Sequence, residues 1–154
     1  FPTRYVSVQM NTGPGEAGAP VFDLQGRFVG VNVAVLPELG ASYILPARAL
    51  SWIREGLASS GGHTYSYFGF NVEESRTADA PSRLVVKNVD DKGPAVAAGL
   101  KTNDIVLEAG RKPATTISDL RDAAFFTKAG QYLDLKISRN GKETNVSIQA
   151  QGKK

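Results

Sequence analysis

GPAVAAGLKTNDIVLEAGRKP, Gly93 to Pro113, is the stretch whose reading decides the fold. A glycine–proline pair followed by small residues reads as the start of a short helix, and Gly99 stops it. Asp104–Gly110 (DIVLEAG) then reads as a strand. Working outward, Arg83–Asp90 (RLVVKNVD) is a second strand and Tyr65–Glu74 (YSYFGFNVEE) a short aromatic run. ISDLRDAAFFTK, Ile117–Lys128, has helical spacing with Ser118 and Asp119 near its start. Tyr132–Ala150 alternates cleanly on both sides of Asn140-Gly141, the sequence of a tight hairpin. The expectation is a self-sufficient α+β domain over residues 63–154, with five or six strands and two helices.

The other half has a different rhythm. RYVSVQM (4–10) alternates as a half-buried strand would, and a loop with Gly13, Pro14, Gly15 and Gly18 follows. APVFDL and RFVGVNVAV read as strands joined at Gln25-Gly26, and ASYILPA as a third beyond the Pro37–Gly40 break. ARALSWIREGLAS then places Leu50, Ile53 and Leu57 three and four apart, an amphipathic helix. Ser59, Ser60, Gly61 and Gly62 end it and read as a flexible link. Residues 1–62 are therefore expected to be mostly β with a closing helix. So few elements bury too little surface to be stable alone, which marks this half as part of a larger β-structure.

Composition narrows the function. Of 154 residues, 42% are hydrophobic and 21% charged, the balance of an ordinary globular protein. No apolar run approaches the ~20 residues of a membrane span. The net charge of +3 comes from scattered lysines and arginines, without the dense basic stripe that nucleic-acid binding needs. There is no cysteine, so disulfides, thiolate metal sites and cysteine nucleophiles are excluded. One histidine and no carboxylates at ligand spacing imply no metal and no cofactor. The start FPTRYVSVQ, with neither initiator Met nor signal pattern, reads as the middle of a longer polypeptide.

Residues 5–57 resemble the last third of the trypsin-like protease domain of bacterial HtrA (Deg) proteins, on NTGPGEAGAPVFDLQGRFVGVNVAV and YILPARAL. Residues 64–151 resemble the PDZ domain that follows the protease in that family, on YFGF (Tyr67–Phe70), Gly93–Pro113 and ISDLRDAAFF. The implied fold is the C-terminal part of a trypsin-like β-barrel followed by a PDZ domain. The family's nucleophile position is Ala17 here, and its oxyanion-hole N–H groups map to Gly15 and Ala17. Alanine has no hydroxyl, so the activated nucleophile of serine acyl transfer is missing. His63, in the glycine-rich link, reads as a solvated linker residue, so no catalytic residue set is intact. Glu16, Ala17 and Ala19 all depart from the family's pattern, which speaks for natural degeneration. An engineered Ser→Ala at position 17 of a working endopeptidase is the alternative, and an assembly adaptor whose half-barrel pairs with another chain is a third.

The resemblance to PDZ domains implies binding of partner C-termini, or extended segments of unfolded polypeptide, as a strand added to a sheet edge. The family's carboxylate-binding loop maps to Tyr67, Phe68, Gly69 and Phe70, with Phe68 and Phe70 bracketing an apolar pocket and Gly69 allowing close backbone approach. Ala123 and Phe126 are the candidates on the helix forming the opposite wall, with Leu120 and Ala124 nearer the core; of Phe125 and Phe126, at least one belongs to the core. Asn103 precedes Asp104 where the family has glycine, and is expected in a left-handed turn. Further partners implied are the N-terminal part of the same protease domain or a second copy of the chain, and the implied location is the cell envelope or periplasm.

Overall fold

The computed structural model describes residues 3–10, 12–13, 15–60, 65–77 and 80–153. The described residues 3–60 and 65–153 fall into two compact units. His63 and the expected 62/63 boundary lie outside the described residues.

The first unit is a four-stranded antiparallel sheet in the order β1–β4–β3–β2, with one α-helix and a short 3-10 helix at Pro37–Leu39. Its strands are β1 (Val6–Gln9), β2 (Pro20–Phe22), β3 (Phe28–Leu36) and β4 (Ala41–Pro46), followed by α1 (Ala47–Ser60). The β2–β3 turn is made by Asp23, whose carboxylate accepts from Gln25 N–H and Arg27 N–H, both at 2.9 Å. Gly26 supplies the left-handed residue there, at φ 76°. At Gly30 in β3, a Cβ would lie 2.1 Å from the Leu45 carbonyl, so only glycine lets β3 and β4 close. Val33 is an extra residue in β3, between the Asn32–Ile44 and Ala34–Tyr43 pairs.

Two expectations for this unit are corrected. The helix runs through Ser59 and Ser60 instead of ending before them, since serine in a last turn costs only a fraction of a kcal/mol, roughly 0.5 relative to alanine. Of its apolar stripe, Leu50 and Ile53 are half-buried but Leu57 is 52% exposed.

The second unit is a six-stranded antiparallel sheet, β11–β10–β8–β7–β6 with β9 paired to β8, plus a two-stranded ribbon β12–β5. The strands are β5 (Tyr65–Tyr67), β6 (Phe70–Thr77), β7 (Ala80–Val89), β8 (Ile105–Ala109), β9 (Lys112–Pro113), β10 (Tyr132–Arg139), β11 (Lys142–Gln149) and β12 (Gln151–Lys153), with helices α2 (Pro94–Ala97) and α3 (Ile117–Phe125). Eight strands replace the expected five or six. The additions β5, β9 and β12 are two or three residues long, too short to carry an alternating pattern. Asn140 and Gly141 both have positive φ (51° and 79°), the turn that matches strand twist.

The core comes from the inward positions. Leu133, Leu135 and Ile137 of β10 stack on Ile148 and Val146 of β11, Leu84 and Val86 of β7 and Val106 of β8, all 5% exposed or less. Each such side chain contributes about 2 kcal/mol on burial. Asp104 is buried with them and satisfied. Arg139 donates to both its oxygens (Nε to Oδ1 and Nη2 to Oδ2, each 2.7 Å), and Lys101 N–H adds a third bond at 2.8 Å. Burial alone would raise its pKa; the Arg139 and Lys101 contacts outweigh that and hold it below the usual carboxylate value. Asn103, just before it, is left-handed at φ 71°.

Candidate functional site

Between β5 and β6 the chain makes the loop Tyr67–Phe70, which breaks the aromatic run into two strands. Gly69 sits at φ 75°. A Cβ there would meet Gly93 Cα at 2.9 Å and Pro94 Cδ at 3.1 Å, and a Cβ on Gly93 would meet Gly69 Cα at 3.0 Å. The requirement for glycine is therefore set by the protein's own backbone at the start of α2, as well as by any ligand. The loop's carbonyls are turned inward: Phe68 O accepts from Ala95 N–H (3.0 Å) and Gly69 O from Asp90 N–H (2.8 Å). The N–H groups of Phe68 and Gly69 donate to nothing among the described residues. Successive unpaired N–H groups beside a left-handed residue form a cradle for an anion.

Asp90 anchors this loop from behind. Its carboxylate accepts from the Tyr67 hydroxyl and from Lys92 N–H (3.1 Å), and its carbonyl from Gly93 N–H (2.8 Å). The bond to Asp90 pushes the Tyr67 hydroxyl pKa upward. A shallow cavity of about 390 Å³ opens against the loop, with Tyr67, Gly69, Phe70, Asn88, Asp90 and Asp91 in its lining. Two aspartates make it a poor seat for a carboxylate.

The apolar side of the loop faces α3. Phe68 is 8% exposed and belongs to the core cluster; Phe70 and Val72 of β6 are half-buried against it. From α3, Leu120 is buried and Ile117, Ala123 and Ala124 pack on the same cluster. Ala123 faces the β8–β9 turn, where a Cβ on Gly110 would lie 3.6 Å from its own. Phe125 is buried, and Phe126, half-buried, meets it edge-on with ring centroids 5.0 Å apart. Thr116 caps the helix in a reciprocal capping box with Asp119. The two ends of α3 are fixed to the strands that frame the loop. Glu74 Oε1 of β6 accepts from Ile117 N–H at 2.7 Å, and Ser66 of β5 donates to Thr127 O. So α3 runs antiparallel to β6, its C-terminal end beside the loop, and β6 is an edge strand of the sheet. Asp90, Val72 and Glu74 have no sequence signal of their own; only the turn at Gly93-Pro94 hints at Asp90.

The loop of the first unit carries Gly15 (φ 95°) and Gly18 (φ 92°). Buried Asn32 of β3 holds it: Gly18 N–H donates to Asn32 O (2.7 Å), Asn32 N–H to Ala19 O (2.9 Å) and Asn32 Nδ2 to Glu16 O (3.4 Å). Asn32 Oδ1 is buried without a hydrogen-bond partner. The N–H groups of Gly15 and Ala17 are unpaired among the described residues, and Ala17 is an exposed methyl. The loop offers backbone donors and no nucleophile. No group of His or acidic side chains among the described residues is placed to hold a metal.

A family model describing the PDZ domain matches residues 66–150, from β5 through β11. The chain belongs to the PDZ-domain family. Curated relatives extend the likeness beyond the PDZ unit. A probable periplasmic serine endoprotease, DegP-like, of Pseudomonas fluorescens is 26% identical over 155 residues, covering 94% of this chain and 33% of its own length. One from Halomonas elongata is 25% identical with the same coverage. This chain thus spans about a third of the relatives it matches. Among solved structures, the HtrA-type protease AlgW with tripeptide matches with TM-score 0.72 at 19% identity, over 97% of this chain and 54% of that one. The serine endoprotease from Yersinia pestis matches with TM-score 0.62 at 23% identity, over 97% and 52%. The fold of both units is that of HtrA-type proteases: a partial, open β-structure with a PDZ domain. No helix among the described residues is long and apolar enough to cross a membrane.

Proposed function

We propose that this chain is a non-catalytic peptide-binding protein of the HtrA type. Its PDZ unit takes the free C-terminus of a partner, or an extended segment of unfolded polypeptide, as an added strand on β6. The observation that carries this reading is the pair of unpaired N–H groups on Phe68 and Gly69, set at the open end of an edge strand that α3 faces. A terminal carboxylate there accepts both bonds, and the last side chain lies over Phe70 toward α3. There Leu120 and Ala124 take the place expected for Ala123, whose Cβ faces Gly110, and Phe126 stands at the rim. Phe68 then supplies the floor from the core. One of the similar solved structures is an HtrA-type protease with a tripeptide, which fits this use of the fold. We place the protein in the cell envelope, where its relatives are periplasmic by name.

The test is a titration with fluorescein-labelled hexapeptides ending in Val, Leu, Ile, Phe or Ala, each with a free or amidated C-terminus. The expected result is a Kd of about 1–100 μM for at least one free carboxylate, on the order of −6 to −8 kcal/mol, and loss of at least ten-fold on amidation. Equal binding of acid and amide, or none at all, overturns the reading. Gly69→Val removes binding; because it also crowds Gly93, its folding is checked by circular dichroism. This chain does not hydrolyse unfolded protein, since Ala17 has no hydroxyl to attack with.

A second reading is favoured by the unpaired N–H groups of Gly15 and Ala17: the first unit is part of an endopeptidase barrel, with Ala17 standing for serine. Its exposed apolar side chains, among them Phe22 (55%), Leu24 (100%) and Leu39 (67%), are then covered by the N-terminal part of the barrel or by a second copy. Ala17→Ser, combined with the upstream half of such a barrel, gains hydrolytic activity under this reading and none under the first. Light scattering of the chain alone gives a monomer mass unless the adaptor role holds.

A further inference from the structure

We infer that Glu74 is a positioning residue for the peptide groove: it sets the gap between β6 and α3 through its bond to Ile117 N–H. This rests on the peptide-binding reading and names the side chain that preforms its site. On β6 the half-buried Phe70, Val72 and Glu74 alternate with exposed Asn71, Glu73 and Ser75. Alternation puts the first three on the face that α3 covers. The apolar pair meets the groove, and Glu74 ends it.

Polar contacts pin the helix at both ends, and Leu120, Ala123 and Ala124 of its middle pack on the core cluster. At the loop end, Ser66 donates to Thr127 O. At the far end, Glu74 Oε1 accepts from Ile117 N–H at 2.7 Å, across 43 positions of sequence. The helix has its own local cap, which leaves Ile117 N–H to Glu74: Thr116 Oγ1 accepts from Asp119 N–H (3.2 Å), and Asp119 Oδ2 from Thr116 N–H (2.8 Å) and Thr115 N–H (3.0 Å). Ile117 N–H is the first of the helix, one of the donors that the helix cannot satisfy internally. A carboxylate acceptor makes the bond charge-assisted and places negative charge at the positive end of the helix. The bond therefore ties together two elements that β7 and β8 separate in the chain. An incoming strand must fit between β6 and α3. If that gap is preset, its ordering cost is met on folding and not on binding.

The donor can be deleted as well as the acceptor, with Ile117→Pro also trimming a side chain that packs on the core cluster. Ile117 is the first helical residue, where proline is favoured, and Thr116 at φ −126°, ψ 156° already has the backbone that a residue before proline adopts. The experiment measures Kd for the same free-acid and amidated hexapeptides with the wild-type chain, Glu74→Gln, Glu74→Ala, Ile117→Pro and the Glu74→Ala/Ile117→Pro pair. Circular dichroism and thermal melts establish that each is folded. Glu74→Ala weakens free-acid binding roughly ten-fold, the loss of one hydrogen bond to a charged group. Ile117→Pro weakens it as well, and the double variant loses less than the two single losses added together, because both break the Glu74–Ile117 bond. Glu74→Gln keeps an acceptor and stays within about three-fold of wild type. A role confined to stability would shift the melts without this rescue and without the shared loss. Wild-type affinity in folded Glu74→Ala, or additive losses in the double variant, overturns the inference alone. Failure of the wild-type chain to bind any of the peptides overturns the peptide-binding reading, and this inference with it.

Discussion

The two units are built from the same kinds of element and differ in what they bury. In the PDZ unit the buried apolar side chains, Phe125 apart, form one continuous cluster that draws on β7, β8, β10, β11, α2 and α3. In the first unit the buried apolar residues among those described are Ala41, Ile44, Leu45 and Ala49, and the buried polar residues Thr3, Asn32 and Ser42 are nearly as many. Its larger apolar side chains, Phe22, Leu24 and Phe28, are exposed, the two rings 5.7 Å apart. A sheet needs a covered face to be stable alone. The PDZ unit covers its own, whereas the first unit spends much of its order on holding one loop. The difference teaches what each unit offers by itself: a finished domain with an open sheet edge in one, and in the other a loop with backbone donors and no nucleophile.

Four substitutions or conditions test that contrast, beginning with the largest effect. Gly30→Val drives a side chain into the Leu45 carbonyl, which a Cβ would already approach to 2.1 Å, and the first unit's sheet is lost. Amide NMR signals of β1–β4 then collapse while those of β6–β11 keep their positions; collapse of both would mean the units do not stand separately. Next, Leu135→Ala in the PDZ core costs about 3 kcal/mol by denaturant unfolding, with the first unit's signals unaffected. A loss under 1 kcal/mol would show the cluster to be looser than its burial indicates.

Smaller is the effect of acid. Asp104 has a folded pKa below its ordinary value of 3.8, so it binds its proton more readily when unfolded. Its contribution to stability is complete above that value and is lost as pH falls through the lower folded one. The PDZ unit therefore holds its melting temperature from neutral pH to about pH 4 and declines below it, and Asp104→Asn flattens that decline. A decline as steep in the variant would assign acid sensitivity to other carboxylates. Smallest, Asp119→Ala removes half of the capping box and costs about 1 kcal/mol, visible as faster amide exchange in the first turn of α3.

Much of this was legible in the sequence, for identifiable reasons. The hairpin at Asn140-Gly141, the short helix before Gly99 and the left-handed Asn103 announce themselves through backbone chemistry, which is local. Long alternating arms such as Tyr132–Arg139 do so through period. The C-terminal ribbon did not: Gln151–Lys153 is polar and brief, and only its pairing with Tyr65–Tyr67 makes it a strand. Of the candidate site, the loop Tyr67–Phe70 is proposed from resemblance alone, whereas its supports carry no sequence signal. Asp90 and Glu74 act across 23 and 43 positions, and nothing in their neighbourhoods marks them. Gly69 was readable for a partial reason: its crowding by Gly93 and Pro94 comes from a contact that only the fold creates. Asn32 is likewise an ordinary strand residue in sequence and a loop anchor in the structure.

The most direct measurement is an amide NMR titration of the chain with a free-acid hexapeptide ending in an apolar residue. The account predicts that Phe68 and Gly69 N–H signals shift downfield, with further shifts along β6 and α3 and none at Gly15 or Ala17. Shifts centred on Gly15–Ala17, with Phe68 and Gly69 unmoved, would contradict it and make the first unit's loop the binding site.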